Sequence, residues 1–209
     1  FTWKKSHNIS HHQYTNSNLD EDASYYPFFR LVAYDKHHVH FKYQYIYIPL
    51  INYPITLFVK YPDKTMFIMI IIQYLFMKYN NKGGIINILI EMTTFGLLYV
   101  FINHVTHLNE KVEAHKKPIG CWYNNQLRST SNWSYNNMFI THLLGGINYQ
   151  IEHHLFQSVH HYHYPALRKI VKEICKKTKI KYNEFKNYTD AFISHYKLLK
   201  HLSIFKPLL

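Results

Sequence analysis

Two apolar runs set the strongest limit on what this chain can fold into. Residues 66–79 (MFIMIIIQYLFMKY) and 85–103 (IINILIEMTTFGLLYVFIN) are separated only by the polar break Asn80-Asn81-Lys82-Gly83-Gly84. The second run is just short of the roughly 20 residues that a bilayer crossing needs, and the first falls in the range of about 10–14 that more often marks a buried or re-entrant helix. Joined by a tight Asn/Gly turn, they read as a helical hairpin dipping through a membrane. Glu91 is costly at mid-bilayer and cheaper near the Gly83-Gly84 end, where it could reach the headgroups. A third apolar segment, 45–59, is broken by Pro49 and Pro54 and reads as interfacial rather than spanning. The alternative is a soluble helical protein whose apolar runs form the core, and the mean hydropathy of −0.28 taken alone points that way.

Charge placement favours the hairpin. The chain carries 24 Lys and Arg against 12 Asp and Glu. If only residues near 78–84 face the far side, Lys78 and Lys82 are the basic residues there, and the remaining Lys and Arg lie on the near side or at its boundary, cytoplasmic by the positive-inside tendency. Further along, Pro165 suits a first helical turn, and Leu167, Ile170, Val171, Ile174 and Cys175 follow at helical spacing. The opposite face bears Arg168, Lys169, Lys172, Lys176 and Lys177, which could meet anionic headgroups or water. No nucleic-acid-binding motif accompanies this basic face, and nucleic acid is not an expected partner. Two cysteines, Cys121 and Cys175, cannot build a disulfide framework. The opening residues FTWKKSHN contain neither an initiator Met nor a leader pattern, so the sequence reads as part of a longer chain.

Histidine is over-represented, with 17 copies. On a helix His7 and His11 stand one turn apart with His12 beside them, so three imidazoles can converge. Gln150 is one turn from both His153 and His154. His104 and His107 follow the second apolar run at i, i+3. Each cluster alone supplies too few donors for a closed site, whereas together they would suit a pair of first-row transition ions. Residues 7–12 and 153–154 can share one site only if an even number of membrane crossings separates them, which the hairpin satisfies and a third crossing at 45–59 would not. His37-His38-His40 and His160-His161-His163 read as surface histidines.

The string KKSHNISHHQYTN, followed by Asp20 and Asp22, and the string GGINYQIEHHLF with its trailing HYHYP resemble membrane fatty acid desaturases. The similarity is greatest to the front-end (Δ5/Δ6, linoleoyl-CoA desaturase-like) branch, whose third histidine box begins with Gln, here Gln150. NHVTHLNE resembles the segment after the fourth membrane helix of that family. Trp122, Gln126, Thr130 and Asn132 match a looser pattern before the third box. The resemblance implies an all-α integral membrane protein, a transmembrane hairpin carrying a cytosolic helical histidine-box cap. Residues 1–209 would form a single partial desaturase domain: the second-box region at 1–44, the membrane region at 45–105, and the third box with basic helices at 106–209. It further implies two iron ions, with zinc a substitute, held by His7, His11, His12, His104 (or His107), His153 and His154. Asp20, Asp22 and Glu152 would orient imidazole N–H groups from behind, and Gln150 would hold a water or a histidine near the metals. The first histidine box and its helices are absent from this sequence, so at least two ligands are expected from elsewhere and the piece alone is expected to be inactive. Gln157 stands where the family usually has Pro. The implied activity is dioxygen-dependent insertion of a double bond into an acyl-CoA or acyl-lipid, with a cytochrome b5-type electron donor, in the endoplasmic reticulum membrane. A histidine-box hydroxylase, a sphingolipid desaturase, a non-catalytic metal protein and an inactive fragment are the alternatives.

Overall fold

A computed structural model describes residues 2–23, 25–55, 64–80, 84–118 and 120–204. The chain is mostly helical. It opens with α1 (Thr2–Lys5), a π-helical turn over Ser6–His11 and α2 (His12–Tyr14), a continuous helical path that carries the first histidine cluster. A long irregular segment leads through a 3-10 turn (Val39–Tyr43) into α3 (Gln44–Ile55). The apolar pair follows as α4 (Lys64–Tyr79) and α5 (Ile85–Tyr99), and α5 continues through a π turn (Val100–His104) into α6 (Val105–His107). The cap is completed by α7 (Trp122–Ser129), β1 (Asn132–Trp133), α8 (Met138–Leu143), α9 (Gln150–Leu155), a 3-10 turn (His161–His163), α10 (Tyr164–Thr178), β2 (Glu184–Phe185) and α11 (Tyr188–Ile204).

The expected hairpin is therefore helical, but α4 and α5 have only 16 and 15 residues, and among the described residues no helix is long and apolar enough to cross a membrane. Residues 81–83 of the predicted turn and 56–59 of the Pro-broken segment lie outside the described residues. Gln73 of α4 donates a hydrogen bond to Glu91 of α5, so this amide and this acid satisfy each other between the two helices. The helix α3 runs through Pro49 and Pro54 rather than breaking there. Each proline forfeits one backbone donor, and tertiary packing offsets that loss: Ile48 is fully buried against Tyr25, Phe29, Leu31, Leu108 and Leu199.

Two further clusters hold the cap together. Val105, Trp133, Phe185 and Ala191 join the exit of α5 to the short parallel pairing of β1 with β2 and to α11. Leu127, Ile151, Val171 and Cys175 lock α7, α9 and α10 into one unit. Of the apolar positions expected along α10, Val171 and Cys175 face this core, while Ile170 and Ile174 are exposed. Pro165 does stand in the helix's first turn, and Lys179 ends it in a left-handed conformation. On its basic face, Arg168 and Lys172 both pair with Glu184.

The C-terminal helix is tied to the base of the cap by a buried imidazole. His195 Nδ1–H donates to the carbonyl of Leu108 at 2.6 Å. Burial holds the His195 pKa down at about 4, from an ordinary 6.5, against the opposing pull of that carbonyl. Between those two values the unfolded chain binds a proton that the folded one refuses, so stability falls as pH falls through this window. The ceiling on this effect is about 3 kcal/mol, at ~1.4 kcal/mol per unit of pKa. His195→Gln retains a donor for Leu108 and removes the titration. We expect the variant to lose less stability than the parent when thermal unfolding is compared at about pH 7 and about pH 4.5; identical acid sensitivity would contradict the assignment.

Candidate metal centre

Three separate stretches of chain deliver imidazoles to one place. On α9, Ile151 and Leu155 face the core, and Gln150, His153 and His154 occupy the other side at i, i+3 and i+4. The turn before α9 is set by glycine. Gly146 has φ +80°, and a Cβ there would lie 2.4 Å from the Cβ of His161, so the chain reverses tightly above the 160–163 segment. Asn132 then fixes the start of α9: its Oδ1 accepts the Ile151 N–H at 2.9 Å, satisfying one of the helix's orphan donors.

The helical path at 2–14 is gripped by a polar stripe of α7. Trp122 Nε1–H donates to the carbonyl of His12 (2.9 Å), Asn125 to that of Thr15 (3.1 Å), and Gln126 Oε1 accepts from the Thr15 hydroxyl (2.7 Å). Asn16, in a left-handed conformation (φ 57°), donates to the carbonyls of His107 (2.7 Å) and Ser129 (3.2 Å). These bonds stitch the first cluster to the segments carrying the other two.

The result is two triads. His7, His12 and His153 form one, and His11, His107 and His154 the other; within each, one ring nitrogen per residue lies within 4.8 Å of its fellows. The triads interlock. Ring centroids are 4.9 Å apart for His11–His154, 4.6 Å for His11–His107, 4.8 Å for His107–His154, 4.9 Å for His12–His153 and 4.2 Å for His12–His154 across the two groups. A cavity of about 270 Å³ opens on them, lined by His7, His11, His107 and His153 together with apolar residues such as Tyr25, Leu31, Leu108 and Ile147.

Carboxylates stand behind two of the rings. His11 Nδ1–H faces both oxygens of Asp20 (2.9 and 3.1 Å), and His7 Nδ1 lies 2.6 Å from Asp22. Asp20 is buried and also accepts the backbone N–H groups of Asn16, Asp22 and Ala23. Burial, reinforced by the neighbouring imidazoles, pushes His12 down to about 2 and His153 to about 4, and holds His107 and His154 well below the usual imidazole range. All four are neutral near pH 7, the form that ligates metals.

Some sequence expectations land elsewhere. The extra histidine in the inner triad is His107, the alternative to the residue favoured by position. His104 turns toward Tyr25 (5.9 Å) and His195 (6.1 Å) and lines the cavity instead. The π turn and α6 carry the chain a further turn into the cap before an imidazole comes level with His11 and His154. Glu152, among the described residues, makes no carboxylate hydrogen bond to a histidine. It sits on the core side of α9, where its carboxylate accepts from Tyr182 Oη and Asn132 Nδ2, each at 2.7 Å, and burial raises its pKa to about 7. Gln150 Nε2 donates to His107 Nε2 at 2.8 Å. His38 bonds Tyr26, His40 the carbonyl of Pro27, and His160 the N–H of Tyr162; none of these joins a metal-capable group among the described residues.

The donor set fits transition ions. His154 Nε2 is buried and, among the described residues, has no hydrogen-bond partner, a state that costs free energy unless something else meets that lone pair. Six imidazoles in two groups form an all-nitrogen environment suited to iron or zinc.

Comparison with known proteins agrees. The fatty acid desaturase family model matches residues 1–186. The chain is 30% identical to Delta(5) fatty acid desaturase A of Dictyostelium discoideum over 95% of its own length and 52% of that protein's. It is 32% identical to the sn-1 linoleoyl-lipid 6-desaturase of Synechocystis over 51% of the chain and 32% of that relative. The acyl-lipid (8-3)-desaturase of Physcomitrium patens shares 34% identity over 52% of the chain and 24% of its own length. The chain thus spans about half, or less, of the length of these curated relatives. No solved structure matches it. With a family model covering most of the sequence and the family's histidine clusters gathered into one buried centre, the chain belongs to the fatty acid desaturase family.

Proposed function

We propose that this chain supplies most of the metal centre of a front-end fatty acid desaturase, which inserts a double bond into the acyl chain of an acyl-CoA or acyl-lipid. The observation that carries this reading is the interlocking of the two triads, whose members come from residues 7–12, 107 and 153–154 and whose rings approach to 4.2 Å across the groups. His7, His12 and His153 would hold one iron, and His11, His107 and His154 the other. Further ligands would come from the first histidine box that the resemblance implies. Bound iron supplies the dioxygen chemistry by which two hydrogens leave adjacent methylenes and, with two electrons and two protons, O2 becomes two waters.

The residues of this chain do the rest. Asp20 and Asp22 hold the rings of His11 and His7 by their outer nitrogens, so that their inner nitrogens stay aimed at the centre. Tyr25, Leu31, Leu108 and Ile147 give the cavity an apolar lining against which an alkyl chain can lie, and they keep water from the reacting carbons. The helices α4 and α5 expose Phe67, Ile71, Leu75, Ile86, Leu89 and Ile90; so much apolar surface favours a lipid environment, with the apolar pair inserted in the endoplasmic reticulum membrane and the metal centre on its cytosolic side. Electrons would arrive from a cytochrome b5-type donor, for which Lys169 and Lys176 offer an exposed basic surface beside the Lys177–Glu173 pair.

The test is expression of the full-length protein in cells that lack the expected unsaturated products, followed by lipid profiling. A new double bond on the carboxyl side of an existing one supports the reading. A hydroxylated lipid, or an unchanged profile at normal expression, overturns it.

A further inference from the structure

The two triads are not anchored alike. In the inner one every ring has an acceptor for its Nδ1–H: the Asp20 carboxylate for His11, the carbonyl of Ser129 at 3.3 Å for His107, and Gln126 Oε1 at 2.8 Å for His154. In the outer one, His7 has Asp22, His153 has only the Tyr164 hydroxyl at 3.5 Å, and His12 Nδ1 is buried with no hydrogen-bond partner among the described residues. The inner three are also buried, whereas His7 and His153 are partly open.

Gln126 is the member of the inner shell whose chemistry is least expected, because it is a neutral amide where the other two acceptors are a carboxylate and a backbone carbonyl. Its side chain is fully buried on α7, and its Oε1 also receives the Thr15 hydroxyl at 2.7 Å. An amide oxygen can only accept. It therefore fixes the proton of His154 on Nδ1 and leaves the Nε2 lone pair facing inward, where no other group meets it. The turned amide would donate to Nδ1 instead and place the ring proton on Nε2, which is buried and meets no acceptor among the described residues.

We propose that Gln126 is a positioning residue of the metal centre, holding His154 in the tautomer whose inward Nε2 can ligate. The inference rests on the metal-centre reading above. A neutral acceptor has a specific advantage here: it orients the ring without adding a second buried negative charge beside Asp20.

The test uses the full-length protein, titrated with Fe(II) against a chelator. The parent is expected to bind two ions. Gln126→Leu should weaken one of them by about 10–100-fold, the usual cost of losing a partner behind a metal-bound histidine, beyond the modest fall in the unfolding temperature of the metal-free protein that an unpaired buried His154 Nδ1–H brings. Gln126→Glu should restore the affinity and shift the iron midpoint potential downward, since a carboxylate behind His154 makes it a stronger donor; a purely structural glutamine would not move the potential. Wild-type affinity for both ions in Gln126→Leu would overturn the proposal. If that variant does not fold, an unchanged potential in Gln126→Glu would overturn it equally. A parent that binds no iron would instead overturn the metal-centre reading itself.

Discussion

Replacing His154 with alanine in the full-length protein is expected to abolish product formation and to remove at least one of two bound irons. His154 stands where the two triads meet, with ring centroids 4.2 Å from His12, 4.8 Å from His107 and 4.9 Å from His11, so no other imidazole can swing into its place without leaving its own. The structural cost should be smaller than the functional one: the truncation leaves Gln126 Oε1 with the Thr15 hydroxyl as its partner and opens a small void, together about 1–3 kcal/mol. The control is His160→Ala, at a ring that bonds only its own turn, which should keep full iron and normal product. Metal analysis and lipid profiling of the two variants separate the account from one in which any histidine loss is damaging. Full iron in His154→Ala would refute the assignment.

The second large effect is expected at Asp20. Both of its oxygens are used: each faces His11 Nδ1–H, one also accepts the Asn16 N–H at 2.8 Å, and the other those of Asp22 and Ala23 at 2.9 and 3.1 Å. Asp20→Asn puts an NH2 group against at least one of these donors whichever way the amide turns. Leaving a buried donor unsatisfied costs about 1–3 kcal/mol each, and Asp20→Asn should therefore lower stability by about 2–4 kcal/mol while weakening iron binding by at least the ~10-fold typical of such partners. The loop at 16–23 folds on this carboxylate, so thermal unfolding of the metal-free protein should already show the defect. The defect should exceed that of Gln126→Leu, because Asp20 accepts from more buried donors than Gln126 does.

How far the sequence foretold this centre depended on the kind of signal. The convergence of residues 7–12 with 153–154 was legible because i, i+4 spacing puts imidazoles on one helix face, and isolated donor pairs make no closed site. The choice between His104 and His107 was not, since it turns on a π-helical turn at Val100–His104 that local pattern does not encode. Glu152 looked like a partner for its neighbouring histidines, but one residue along a helix is about 100° of rotation, enough to point it at Tyr182 and Asn132. Gln126 and the Ser129 carbonyl were illegible as ligand supports, because their roles come from tertiary contacts with residues far away in sequence. Likewise Pro49 and Pro54 signalled a break that the burial of Ile48 overrides. The apolar pair was recognised as helical from composition and its turn, while its division into helices of 16 and 15 residues, short of a bilayer crossing, was not legible in the apolar pattern.

Whether two irons sit among these imidazoles is decided by iron X-ray absorption with metal quantification on the purified full-length protein. The account predicts two irons per chain, a nitrogen-dominated shell with histidine scattering, and loss of that signal in His154→Ala. One iron or none in active protein, or a shell dominated by sulfur or carboxylate oxygen, would contradict it.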